Sequence, residues 1–136
     1  MAATEIVATD DRVGSGGVVI WQGSSEDLDI ATGGGADEEI FVLDVRGMKG
    51  GSVRVVEKIG EAGTFKLYAG LKTLNTLSSP YVGEASQLGN NVAFAGSDSK
   101  VIPWAGKYAF ILGVFAKTGA GASADMLDVQ TLTVEG

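Results

Sequence analysis

The sequence predicts an all-β fold: a single β-sandwich domain, jelly-roll-like, with about eight strands. Three observations predict it. Apolar residues alternate with polar ones at a period of two along most of the chain. Clusters of glycine or asparagine separate the apolar runs every ten to twelve residues, as turns between short strands would. No segment shows the 3.6-residue apolar spacing of an amphipathic helix.

The elements follow in chain order. Residues 1–12 are short of apolar runs and are expected to form a flexible arm ahead of a domain spanning 13–136, with Ile6 and Val7 able to add a strand to a neighbouring sheet. After the Gly-Ser-Gly-Gly turn at 14–17, the run Gly17–Gln22 reads as a covered strand containing Trp21. Leu28 and Ile30 alternate with Asp27 and Asp29. The Gly33–Gly35 turn leads to a strand with Phe41, Leu43 and Val45 on one face and Ile40, Val42, Asp44 and Arg46 on the other. Gly50-Gly51 reads as the next turn, before a strand carrying Val53 and Val55. Past the Gly60–Gly63 turn, Phe65, Leu67, Ala69 and Leu71 face one way, and Lys66, Tyr68 and Lys72 the other.

Residues 72–89 are a long loop with a helical turn or a short strand near Tyr81. Asn90-Asn91 reads as a turn before Val92 and Phe94. Tyr108 to Lys117 is apolar on both faces and so is a central strand covered on each side. Pro103 cannot donate to a ladder and is placed before that strand, with Gly106 supplying the turn and Tyr108 returning its hydroxyl to the turn backbone. After a turn at 119–121, the last strand carries Leu127 and Val129, then Leu132 and Val134 on the opposite parity. A bulge near Gln130-Thr131 would reconcile the two halves.

Composition narrows the function. The net charge is −7, and it is uneven: residues 1–46 hold ten acids and two bases, residues 47–136 seven acids and eight bases. An acidic chain without a basic stripe argues against nucleic acid. There is no cysteine and no histidine, which removes disulfides, thiolate sites, the commonest general base and the commonest zinc ligand. The start has neither a basic region nor an apolar block, and no apolar run reaches the ~18 residues that span a bilayer. The expectation is a soluble protein, made without an export signal and without a membrane partner.

No motif spells out a chemistry. Residues 13–20, VGSGGVVI, and 46–53, RGMKGGSV, are glycine-rich but lack the spacing of phosphate-binding loops, and fit hairpin turns. Asp27, Asp29, Asp37, Glu38 and Glu39 form the densest acidic group, yet match no calcium-loop spacing. No catalytic residue, metal site or cofactor is expected. Trp21, inside an apolar run, fits the core. Trp104, in a turn, and Tyr81 are the aromatics better placed to touch another molecule.

Glycine and alanine richness, short strands, absent cysteine and histidine, and a flexible start together resemble the small virion structural proteins of tailed phages, in style the capsid decoration or cement type. That resemblance implies a non-enzymatic role on the outer capsid surface of a virion, after synthesis in the host cytoplasm. The implied partner is the major capsid protein, and the implied assembly is a homo-oligomer, dimer or trimer. Ile6, Val7, Tyr81 and Trp104 are the expected partner-binding residues. The alternatives are a carbohydrate-binding module using Tyr81 and Trp104, or another virion part such as a tail or head–tail joining protein.

Overall fold

The computed structural model describes residues 3–11, 19–58, 61–119 and 126–136, with the backbone alone at 9–11 and 126. Among the described residues ten strands run in order: β1 Thr4–Ile6, β2 Thr9–Asp11, β3 Ile20–Asp29, β4 Asp37–Asp44, β5 Met48–Glu57, β6 Gly63–Gly70, β7 Ala85–Phe94, β8 Ser99–Ala105, β9 Phe110–Lys117 and β10 Met126–Glu135. They form two five-stranded sheets: sheet A in the order β1-β4-β9-β6-β7, and sheet B in the order β2-β3-β10-β5-β8. From β3 to β10 this is the connectivity of an eight-stranded jelly roll, so the expected fold class holds. β1 and β2 add one short strand to the same side of each sheet, β1 parallel to β4 and β2 antiparallel to β3.

The core lies between the sheets. Phe41, Leu43, Phe65, Leu67, Ile111 and Phe115 from sheet A meet Val53, Val55, Leu127 and Val129 from sheet B. A chain of rings runs through it: Phe41 stacks on Phe65 at 6.1 Å, Phe65 meets Phe94 at 6.5 Å, and Phe94 meets Phe115 at 5.6 Å. Phe41 needs a glycine opposite it. It pairs in register with Gly113, where a Cβ would lie 2.0 Å from the ring's Cε1.

β9 is buried on both faces, as its double apolar pattern requires. Ile111 and Phe115 point into the core, while Phe110, Leu112 and Val114 form a second cluster with Val42 on the outside of sheet A. The 71–84 connection covers that cluster, laying Leu74, Leu77 and Tyr81 against it. This connection contains two short 3-10 turns, Leu74–Thr76 and Tyr81–Glu84. Glu39 fastens it by accepting the backbone N–H groups of Tyr81 at 3.0 Å and Val82 at 2.7 Å.

Several local expectations are corrected. The two short strands expected around Trp21 and Leu28 are one strand, β3. Ile40 joins the core with Phe41, because the register of β4 against β9 shifts between Glu39 and Phe41. Gly50-Gly51 is no turn but lies inside β5, where a Cβ on Gly51 would fall 2.2 Å from the Leu132 carbonyl oxygen. Leu71 falls just past the end of β6 and is exposed. Asn90-Asn91 lies within β7, in a register shift against β6 that follows Gly89, held at φ 70°.

Pro103 sits in β8, which pairs with β5 and forms the outer edge of sheet B, where a missing N–H costs nothing. The Tyr108 hydroxyl does point back at the turn, 3.4 Å from the Ala105 carbonyl, with its ring half-buried. β10 keeps one parity throughout. Its shift against β3 falls between Leu127 and Val129, and Thr131 and Thr133 face inward after it. Their hydroxyls reach the carbonyls of Gly23 at 3.3 Å and Trp21 at 3.5 Å, which lets threonine take the inner side and turns Leu132 outward. The turns expected at 14–17 and at Gly60, and most of that at 119–121, lie outside the described residues.

Candidate docking face

The alternation of β3, β5, β8 and β10 sends every second side chain away from the core. Gln22 and Ser24 of β3 lie beside Leu132 and Gln130 of β10, which lie beside Ser52 and Arg54 of β5, and Val101 of β8 follows Arg54. These residues line a shallow groove of about 560 Å³ on the outside of sheet B. Leu132 is 38% exposed and Val101 61%. Arg54 Nη1 donates to Gln130 Oε1 at 3.2 Å, which holds the guanidinium across the strand pair.

Charge is scarce here. Of the seven side chains just named only Arg54 is charged, in a chain of net charge −7. At one end of the sheet Asp128 is matched by Lys58, whose Nζ lies 3.2 Å from it and also contacts Asp27. The Asp27 N–H, donated to Asp128 Oδ1 at 3.0 Å, and then Lys58 hold the Asp128 carboxyl below the usual carboxylate range. The two carboxylates in turn raise the Lys58 ammonium, Asp27 contributing most. A sparsely charged, partly apolar surface that no described residue covers is what the centre of a protein interface looks like.

The four residues singled out from sequence do not meet. Ile6 is only 2% exposed and is packed in the core from β1, while the adjacent Val7 is 73% exposed. Both line a second space of about 460 Å³ between the sheets, on the β1–β2 side. Tyr81 lies half-buried in the cover of sheet A. Trp104 belongs to β8, on the far side of the sandwich from β1, and is 7% exposed. Trp21 packs half-buried against the core, as expected, whereas Trp104 is buried within a strand and not exposed in a turn. Trp104 faces inward because inward positions alternate along β8, while Trp21 is half-buried and donates its indole N–H to Glu135 Oε2 at 2.6 Å.

The acidic group is dispersed rather than convergent. Asp27 contacts Lys58, Asp37 accepts Lys66 at 3.0 Å, Glu38 is buried and accepts the Thr32 N–H at 2.7 Å, and Glu39 holds the cover segment. Among the described residues no three acidic side chains are placed to share a metal ion. Sequence reasoning missed Leu132, Val101 and Arg54. The signal available was the alternation of threonine and leucine in β10, with threonine inside and leucine outside, which reads the other way when leucine is assumed to face in.

No family model matches the chain, and no curated protein matches it. Among solved structures, it is similar to CorA, described as a surface-associated copper-binding protein important in copper acquisition in Methylomicrobium album BG8. That alignment covers 98% of this chain and 98% of CorA, at 9% identity and a TM-score of 0.50. PirA aligns over 91% of this chain and 98% of its own, at 11% identity and a TM-score of 0.39. A cupin domain from Bordetella pertussis Tohama I aligns over 100% of this chain and 99% of its own, at 12% identity and a TM-score of 0.25. At such identities the likeness to CorA concerns the fold alone.

Proposed function

We propose that the protein is a non-enzymatic virion structural protein of the decoration or cement type, which docks on the major capsid protein of a tailed-phage shell through the outer face of sheet B. The observation that carries this reading is the face itself: Leu132 and Val101 stand exposed among Gln22, Ser24, Ser52 and Gln130, with Arg54 as the one charge in the groove. Interface centres are depleted in charge and tolerate arginine. A sheet-built face is rigid, so little conformational entropy is lost on docking. Many copies on one lattice multiply a modest single contact.

Carbohydrate binding is the weaker reading. Sugar stacking needs an exposed ring face, and Trp104 is 7% exposed. Copper binding, the property of CorA, is not carried over, because the sequence holds neither histidine nor cysteine, the residues that most often ligate copper.

The test is co-sedimentation of the purified protein with expanded capsid shells of the phage that would encode it. Saturable binding at a fixed ratio to capsid subunits is expected. Leu132→Asp, which puts an unpaired charge at the centre of the face, should weaken it at least tenfold without unfolding the domain. Absence of binding by the unaltered protein would end the proposal. Equal binding by the Leu132→Asp variant would move the contact to another surface.

A further inference from the structure

The N-terminal arm crosses from one sheet to the other. β1 lies on the outer side of β4, with Thr4, Glu5 and Ile6 paired to Phe41, Val42 and Leu43. β2 lies on the outer side of β3, with Thr9, Asp10 and Asp11 paired to Gln22, Trp21 and Ile20. Each attachment is only three residues long, and each is the terminal strand of its sheet. A deep anchor joins them: Ile6 enters the space between the sheets.

The seat for that anchor is shaped to it. A Cβ on Gly23 would lie 2.8 Å from Ile6 Cγ2 and 3.3 Å from the Ala8 Cα, so a glycine at position 23 is what admits the arm. Beside Ile6 the space bounded by Trp21, Leu43 and Met48 continues as the groove of about 460 Å³. Between β2 and β3 the sequence runs Arg-Val-Gly-Ser-Gly-Gly-Val-Val over residues 12–19. Fully extended, eight residues reach about 26–29 Å.

We infer that the arm is an exchangeable element, and that the seat on β4, β3 and Gly23 also takes the arm of a second copy of this chain. The second copy is the fitting partner because its arm makes the same six backbone pairings and buries the same Ile6. Only the path of residues 12–19 differs between the two arrangements, so their free energies are close and concentration decides between them. The glycine-rich connection favours return to the same body in dilute solution. Crowding on a lattice favours the neighbour. Exchange uses the β1–β2 edge of the sandwich and docking the open side of sheet B; they share only Gln22 and Gly23 of β3, so either can hold without the other.

Two measurements test the exchange. Deleting residues 12–19 makes Asp11 and Ile20 consecutive, although they are paired across the hairpin in the parent, so the arm can no longer reach its own seat. Light scattering should show a dimer or a closed larger ring, and adding Ile6→Asp should return it to a monomer. A folded, monomeric deletion variant at several hundred micromolar would overturn the inference.

The second measurement keeps the full chain, which has no cysteine. One preparation carries Thr9→Cys and the other Gln22→Cys, its register partner. Mixed and oxidised, they should give a covalent heterodimer. Pairing Thr9→Cys with Ser24→Cys, two residues out of register, should give at least tenfold less. If the deletion variant fails to fold, this result stands alone: heterodimer no more abundant than in the out-of-register control refutes the exchange.

Discussion

The two sheets treat their outer faces differently. Outside sheet A, Val42, Phe110, Leu112 and Val114 are apolar and are roofed by the chain's own 71–84 connection. Outside sheet B, Leu132 and Val101 stand exposed among glutamines and serines with nothing from the described chain laid over them. A strand that is apolar on both faces requires a cover, and here the same molecule supplies it. A face of mixed, mostly uncharged side chains stays wetted when alone and sheds its water cheaply against a partner. The difference separates what the protein uses to fold from what it presents to others.

The sharpest way to break that contrast is to cut one side chain from each face. Phe110→Ala empties a fully buried site under the roof and should cost about 3–5 kcal/mol in denaturant unfolding. Leu132→Ala, on the open face, should change stability by no more than about 0.5 kcal/mol. Equal losses would mean that sheet B is also part of the folding core, and the division of labour would fail.

A gentler cut tests what fastens the roof. Glu39→Gln removes the carboxylate that receives the N–H groups of Tyr81 and Val82. A loss of about 1 kcal/mol is expected, since one of two charge-assisted bonds goes and the other weakens. Amide exchange should speed up across 71–84 and stay unchanged in β3 and β10. A uniform rise over both sheets would show that the roof is not a separate unit but part of one cooperative whole.

How far this contrast is legible in the sequence depends on how local each part is. The period-two runs of β4, β6 and β9 reveal the strands, and the two apolar faces of β9 already require a cover. The cover itself is harder to see, because 71–84 has no period and gains its order from Glu39, some forty residues away in the chain. The docking face is harder still. It joins residues near 22, 53, 101 and 131, and no window of sequence contains more than one pair of them. Leu132 reads as inward because leucine usually is, whereas inner threonines bonded to the β3 carbonyls reverse the parity. Gly50-Gly51 and Pro103 mislead for a related reason: residues that usually mark turns are also tolerated where strands approach closely or run along an edge.

The smallest expected effect concerns the end of sheet B, where charge rather than burial holds the strands. Asp128 is drawn below the ordinary value of 3.8 by the Asp27 N–H and then by Lys58. Asp44, on β4, is lowered by its bonds to Arg46, with partial burial opposing. Both folded values lie below the unfolded ones. Their contribution is therefore complete above the unfolded carboxylate value and disappears as pH falls through the lowered folded value, below about pH 4. Lys58 has the opposite sign: its raised ammonium contributes fully below 10.5 and is lost as pH rises past it. The Lys58–Asp128 contact thus weakens at both extremes and is whole across the neutral range. Asp128→Asn should lower the melting temperature slightly at pH 7 and converge with the parent by pH 2. Because these side chains are partly exposed to water, the gap at pH 7 should also shrink in 1 M salt. A gap that persists at both pH 2 and 1 M salt would assign Asp128 a packing role, and the end of sheet B would then resemble sheet A in what holds it.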